Sequence, residues 1–115
     1  MNIHIHPVSL DHASRILKCL ATAGRSGCFR ARTFIGAGPE TQYQFQDALG
    51  KVQVQIFPRA SNTRSSFLRK ALATLTWSRS VKTYAKELPA RCINVHGLST
   101  LSVGVALKRH HGCKL

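Results

Sequence analysis

Two histidines, His4 and His6, stand two residues apart in the alternating stretch IHIH, opposite Ile3 and Ile5. Residues two apart on an extended strand share a face, so both imidazoles project the same way. Paired histidines supply general acid and base in metal-independent ribonucleases, where a Lys or Arg stabilises the charged phosphorane. A second set, Cys92-x3-His96 with His110-His111-x-Cys113, has the ligand types and number of a tetrahedral zinc site. RCINVH (91–96) reads as a strand, however, and at about 3.3 Å per residue Cys92 and His96 would then stand about 13 Å apart, too far to share an ion. The GAG at 36–38 has the glycines of a phosphate loop. It has strands on both sides where such loops need a following helix, so it reads as a turn. No metal or other cofactor is therefore expected. The absence of a carboxylate pair, nucleophile elbow or acid cluster speaks against most hydrolases and against magnesium-dependent nucleases.

The basic residues are the larger signal. Seventeen Lys and Arg face four acids, Asp11, Glu40, Asp47 and Glu87, for a net charge of +13. Such a field attracts acidic partners, nucleic acid first among them. Arg30 and Arg32 share a strand face, and Arg64, Arg69 and Lys70 lie off the apolar stripe of a helix. Arg79, Lys82 and Lys86 recur at three and four, which places them in one row. Interspersed Ser, Thr and Asn residues can donate to phosphate oxygens, and no acid occurs between residues 59 and 86.

The elements that carry these residues follow from periodicity. IHIH is a short strand ended by Pro7, and Ser9 then caps a helix with Asp11 in its first turn. Leu10, Ala13, Ile16, Leu17, Leu20 and Ala21 form its apolar stripe, with Gly24 as the stop. CFRARTFI (28–35), TQYQFQD and KVQVQIF alternate with period two, which predicts a three-stranded antiparallel meander over 28–57. In the last two strands the polar members are nearly all glutamine.

A helix runs from about Arg64, capped by Ser61, Asn62 or Thr63, with Leu68, Ala71, Leu72 and Leu75 on its stripe. Trp77, Val81, Tyr84, Ala85 and Leu88 form a second, rotated stripe, which implies either a break near 78–80 or one long helix meeting two surfaces. RCINVH and TLSVGVAL (100–107) both read as strands, and residues 108–115 as a frayed basic tail. The expected fold is a small single α+β domain in the order (β)αβββα(α)ββ, a mainly antiparallel sheet with helices on one face.

The α-β-β-β-α order over residues 9–76 resembles the double-stranded-RNA-binding domain. GPETQYQF (38–45) is similar to that family's loop-to-strand pattern, with Thr41 where the family has its minor-groove His. RSSFLRKALATL stands where the family opens its last helix with a lysine cluster, and offers Arg64, Arg69 and Lys70. The resemblance implies a topology that presents basic residues to an A-form duplex.

No run of eighteen apolar residues is present, so no membrane span is expected. The N-terminal residues lack the basic-then-apolar order of a secretory signal. The cysteines Cys19, Cys28, Cys92 and Cys113 are irregularly spaced. Together these features predict reduced thiols and a cytoplasmic setting. The leading expectation is a non-catalytic nucleic-acid-binding protein, RNA or DNA, contacting phosphates through Arg30, Arg32, Arg64, Arg69, Lys70, Arg79, Lys82 and Lys86. Two alternatives stand beside it: a small histidine-dependent ribonuclease or toxin-like enzyme, and an interaction module that docks on an acidic protein.

Overall fold

The computed structural model describes residues 1–8, 13–29, 31–59 and 66–115. The elements are β1 (Asn2–Ile5), α1 (Ser14–Arg25), β2 (Ala31–Ala37), β3 (Thr41–Asp47), β4 (Gly50–Phe57), α2 (Phe67–Lys86), β5 (Cys92–Val95), a 3-10 turn (Leu98–Thr100) and α3 (Leu101–His111). This is an α+β domain, and the expected order of elements holds as far as β5.

The five strands form one sheet in the order β3-β4-β2-β1-β5. The expected antiparallel meander does not form. β1 pairs in parallel with β2 and β5, and β2 pairs in parallel with β4. Among the described residues the β3–β4 hairpin alone is antiparallel, turning through Ala48 and Leu49. β4 thus lies between β2 and β3, and the likeness to the double-stranded-RNA-binding domain stops at the order of elements. The physical reason is burial. β4 carries Val52, Val54 and Ile56, all nearly inaccessible, whereas most of β3 is exposed. The more apolar strand takes the interior and the polar one the edge. Residues 38–40 can bridge the gap, since two inter-strand spacings amount to roughly 10 Å.

Two β-α-β units, β1-α1-β2 and β4-α2-β5, and the reversal through antiparallel β3 between β2 and β4 leave β1, β2, β4 and β5 running the same way. The helices of the two units lie on opposite faces and the connections run in opposite directions across the sheet, as the single hand of such crossovers requires. On one face Ile3, Ile5, Ile35 and Ile93 pack against Trp77, Val81 and Ala85 of α2 and Val103 and Leu107 of α3. On the other, Phe34, Val52, Val54 and Ile56 pack against Ile16 and Leu20 of α1. Helices therefore cover both faces, not one. Trp77 is fully buried and its Nε1–H donates to the Gly36 carbonyl at 3.1 Å, locking α2 to β2.

α2 is one unbroken helix. Ser66 is its N-cap, its hydroxyl accepting from the Arg69 N–H, and residues 60–65, which hold the expected caps and Arg64, lie outside the described residues. The rotated stripe of Trp77, Val81 and Ala85 meets the sheet. Most of the first stripe does not: Leu68, Leu72 and Leu75, with Phe67 beside them, are all more than half exposed, and Ala71 is partly buried.

The segment 100–107, read as a strand, is helical. Its alternation came from small residues, Ser102, Gly104 and Ala106, between aliphatic ones, a pattern that also suits a helix pressed flat on a sheet. A Cβ on Gly104 would lie 2.5 Å from Val95 Cγ1, so α3 sits tight on β5 through that glycine. The tail is not frayed, because α3 continues to His111 before Gly112 adopts a left-handed cap and the Lys114 carbonyl accepts from the Ile93 N–H at 3.0 Å.

α1 likewise differs in detail. Its expected cap, Ser9, lies outside the described residues, as do Leu10 and Asp11. Gly24 does not end the helix but sits buried inside it, where a Cβ would meet the Arg32 guanidinium at 2.8 Å.

Candidate functional site

Arg79, Lys82 and Lys86 come together as their spacing predicted. With Thr83, Ala106 and His110 they line a groove between α2 and α3. Among the described residues no acidic side chain lines it and none of the three cations is in a salt bridge. The last turn of α3 also carries Lys108 and Arg109, both exposed, outside the groove lining. Arg69 and Lys70 are exposed but belong to the first turn of α2, about 15 Å along the helix from Arg79. They flank the exposed stripe of Leu68 and Leu72 instead of joining the groove.

Arg32 is not a phosphate contact. It is 1% exposed, and its guanidinium donates to the Leu20 carbonyl at 3.0 Å and to Asp47 Oδ1 at 2.6 Å. The same carboxylate oxygen accepts from the Leu49 N–H, so one ion pair ties α1, β2 and the β3–β4 turn together. The hydrogen bond from Arg32 holds the Asp47 carboxyl below its ordinary range. Sequence spacing placed Arg32 on a strand face correctly but could not show that α1 covers that face. Arg30, the other member of the pair, lies outside the described residues, as does Arg64.

The glutamines are divided by the same geometry. Gln53 and Gln55 of β4 lie on the α2 side of the sheet. Gln53 Nε2 donates to the Tyr84 hydroxyl at 2.6 Å, and Gln55 is buried. Gln42, Gln44 and Gln46 continue that face onto the exposed edge strand. The amide row is thus structural at β4 and an open polar surface at β3.

The histidines form a cluster that spacing alone did not show. His4 on β1 stands opposite Asn94 on β5, and His96 follows directly after β5. His4 Nδ1 lies 3.1 Å from His96 Nε2, with the rings stacked at 5.4 Å, and the His6 ring centroid is 5.9 Å from that of His96. The Asn94 amide biases the direction of these hydrogen bonds, though its Nδ2 also lies 3.8 Å from Cys92 Sγ. Its Nδ2 donates to Asn2 Oδ1 at 2.6 Å and faces His4 Nε2 at 3.5 Å. An amide nitrogen only donates, so His4 Nε2 is the acceptor. The His4 proton then sits on Nδ1 and is donated to His96 Nε2, which leaves the His96 proton on Nδ1.

Protonating either ring would set two donors against each other, and burial adds to this opposition. Burial first, then His96 and Arg32, bring the pKa of His4 down to about 4. His6 and His96 are also lowered, mainly by burial. His4 is 3% exposed with both ring nitrogens engaged, so it positions His96 and does not itself meet a substrate.

The zinc reading needed 91–96 to be loop or helix, and Cys92–Val95 is a strand. Among the described residues no three His, Cys, Asp or Glu side chains converge on a common point. No helix among them is long and apolar enough to cross a membrane.

Comparison with known protein families, with characterised proteins and with solved structures gives no match to this chain.

Proposed function

We propose that the chain binds the phosphate backbone of nucleic acid through the basic groove between α2 and α3. The carrying observation is the row Arg79, Lys82 and Lys86, set beside His110 with no acid in the lining among the described residues. Cations held in a row on one helix track a phosphate chain, and backbone contact of this kind gives affinity with little sequence preference. The helix that bears them contains no Asp or Glu, and its C-cap Glu87 lines a separate groove with Arg79.

The test is a salt series with duplex RNA, duplex DNA and single-stranded RNA. The logarithm of affinity should fall linearly with the logarithm of salt concentration. The double variant Lys82→Ala/Lys86→Ala should flatten the slope by roughly 1 for each phosphate that is no longer neutralised. An unchanged slope would remove the groove from the binding surface. Trp77 is a poor reporter for this assay, since it is fully buried in the core.

One observation favours a second reading, an acidic protein partner. Phe67, Leu68, Leu72 and Leu75 are 83%, 78%, 65% and 59% exposed, with Arg69 and Lys70 between them. An exposed apolar stripe at helical spacing is an interaction surface in many proteins. A partner that survives nuclease treatment and is released by Leu68→Ser/Leu72→Ser would support this reading over the first.

A further inference from the structure

The histidine cluster ends in a crevice. β1 and β5 lie side by side and point the same way, but the segments that follow them part. After β1 the chain passes to α1 on one face, and after β5 it turns into α3 on the other. Neighbouring parallel strands whose following segments leave to opposite faces open a crevice beyond their carboxyl ends, a common ligand position in α/β sheets. Here the crevice measures about 480 Å³, a volume in the range of small-molecule sites, and its lining includes His6, Ser14, Arg15, His96 and Gly97.

The polar groups that line the crevice can donate, and one of them carries a full positive charge. The tautomer favoured by the Asn94 and His4 contacts leaves an N–H on His96 Nδ1. His6 Nδ1 is buried and has no hydrogen-bond partner among the described residues. Ser14 contributes a hydroxyl and Arg15 a full positive charge, and no carboxylate is part of the lining among the described residues. A crevice lined by such donors and a full positive charge favours an oxyanion over a cation or a neutral apolar ligand.

We propose that this crevice is a ligand site for a small oxyanion of the phosphate-monoester class, held by His6, His96 and Arg15. It is separate from the basic groove. His110, which marks that groove, lies nine residues after Leu101 at the far end of α3, about 14 Å from the start of that helix.

The experiment follows the histidine ring nitrogens by NMR in the full-length, nitrogen-15-labelled protein. Inorganic phosphate, a nucleoside 5′-monophosphate and the unphosphorylated nucleoside are titrated separately. Saturable shifts at His6 and His96 are expected with the two phosphates and none with the nucleoside. A 5′-phosphorylated oligonucleotide compared with its 5′-hydroxyl form distinguishes a strand end from a free metabolite as the source of the phosphate. Arg15→Ala should weaken the His96 response roughly tenfold, as expected for loss of a charge-assisted hydrogen bond. Lys82→Ala/Lys86→Ala should leave that response unchanged. Thermal melting of each variant confirms that it is folded. The inference is overturned if phosphate moves only His110, if the nucleoside alone shifts His96, or if folded Arg15→Ala binds as the parent does.

Discussion

Replacing Asn94 by Asp tests the histidine relay directly. Asn94 donates towards His4 Nε2 and so keeps that nitrogen unprotonated. A carboxylate in the same place accepts instead. His4 would then carry its proton on Nε2, and its Nδ1 would accept from His96. The structure sets the magnitude. The parent pKa of His4 is about 4 against an ordinary 6.5.

The unfolded chain therefore takes up a proton at His4 before the folded one does. The stability tied to His4 is complete above about pH 6.5 and is lost as pH falls towards 4. At roughly 1.4 kcal/mol per pH unit, this amounts to about 3 kcal/mol. A carboxylate within about 4 Å of an imidazole raises its pKa by roughly one to three pH units. Asn94→Asp should thus return His4 most of the way to its ordinary value and shrink the acid-dependent loss to about 1 kcal/mol. Ring-nitrogen chemical shifts report the tautomer, and urea unfolding at pH 7.5 and 4.5 reports the stability difference. If the variant keeps the parent's tautomer and the parent's acid sensitivity, the amide does not orient the pair and the relay is wrong.

Other outcomes follow from the same structure. Arg32→Met should cost about 2–4 kcal/mol in urea unfolding, because it breaks the buried link among α1, β2 and the hairpin turn, and should leave the salt slope of nucleic-acid binding unchanged. Gly104→Ala should destabilise the fold by about 1–3 kcal/mol despite alanine's better helix propensity, since its Cβ would collide with Val95; a higher melting temperature would refute the close packing of α3. Trp77→Phe should cost about 3 kcal/mol, through reduced core volume and an unpaired Gly36 carbonyl, while nucleic-acid affinity measured on the folded fraction stays constant.

What was legible in the sequence was local. Period-two alternation located β1 to β5, and the rotated stripe from Trp77 to Leu88 located the half of α2 that meets the sheet. The cation row survived because three-and-four spacing on a helix fixes a face whatever the helix packs on. Strand order was not legible, since alternation assigns faces and leaves neighbours open. The choice between Val52-Val54-Ile56 and the glutamine-rich β3 for the sheet interior is made by burial.

The same gap hid the fate of Arg32 and the histidine cluster. Nothing local to residues 4–6 and 94–96 signals that β1 and β5 are adjacent. The two β-α-β successions were the available clue, because a strand, a helix and a strand in sequence favour parallel pairing. The segment 100–107 failed for another reason: Ser102, Gly104 and Ala106 are small enough to satisfy either period.

The pairing of β1 with β5 also sets an order of events in folding. β1 is the second strand in from its edge of the sheet, yet its outer neighbour lies about 90 residues further along the chain. Until residues 92–95 arrive, the outer edge of β1 is open, and Ile3 and Ile5 lack the cover that Ile93 and α3 provide. The Met1 amino group and carbonyl also wait for the far end of the chain, bonding to the Pro89 carbonyl and the Arg91 N–H. Closure over so long a separation is slow. During synthesis, the β3–β4 hairpin and the β1-α1-β2 unit can form early, while the histidine crevice is completed last. A chain cut before β5 would keep a partial sheet with an adhesive open edge, and would lose the crevice entirely.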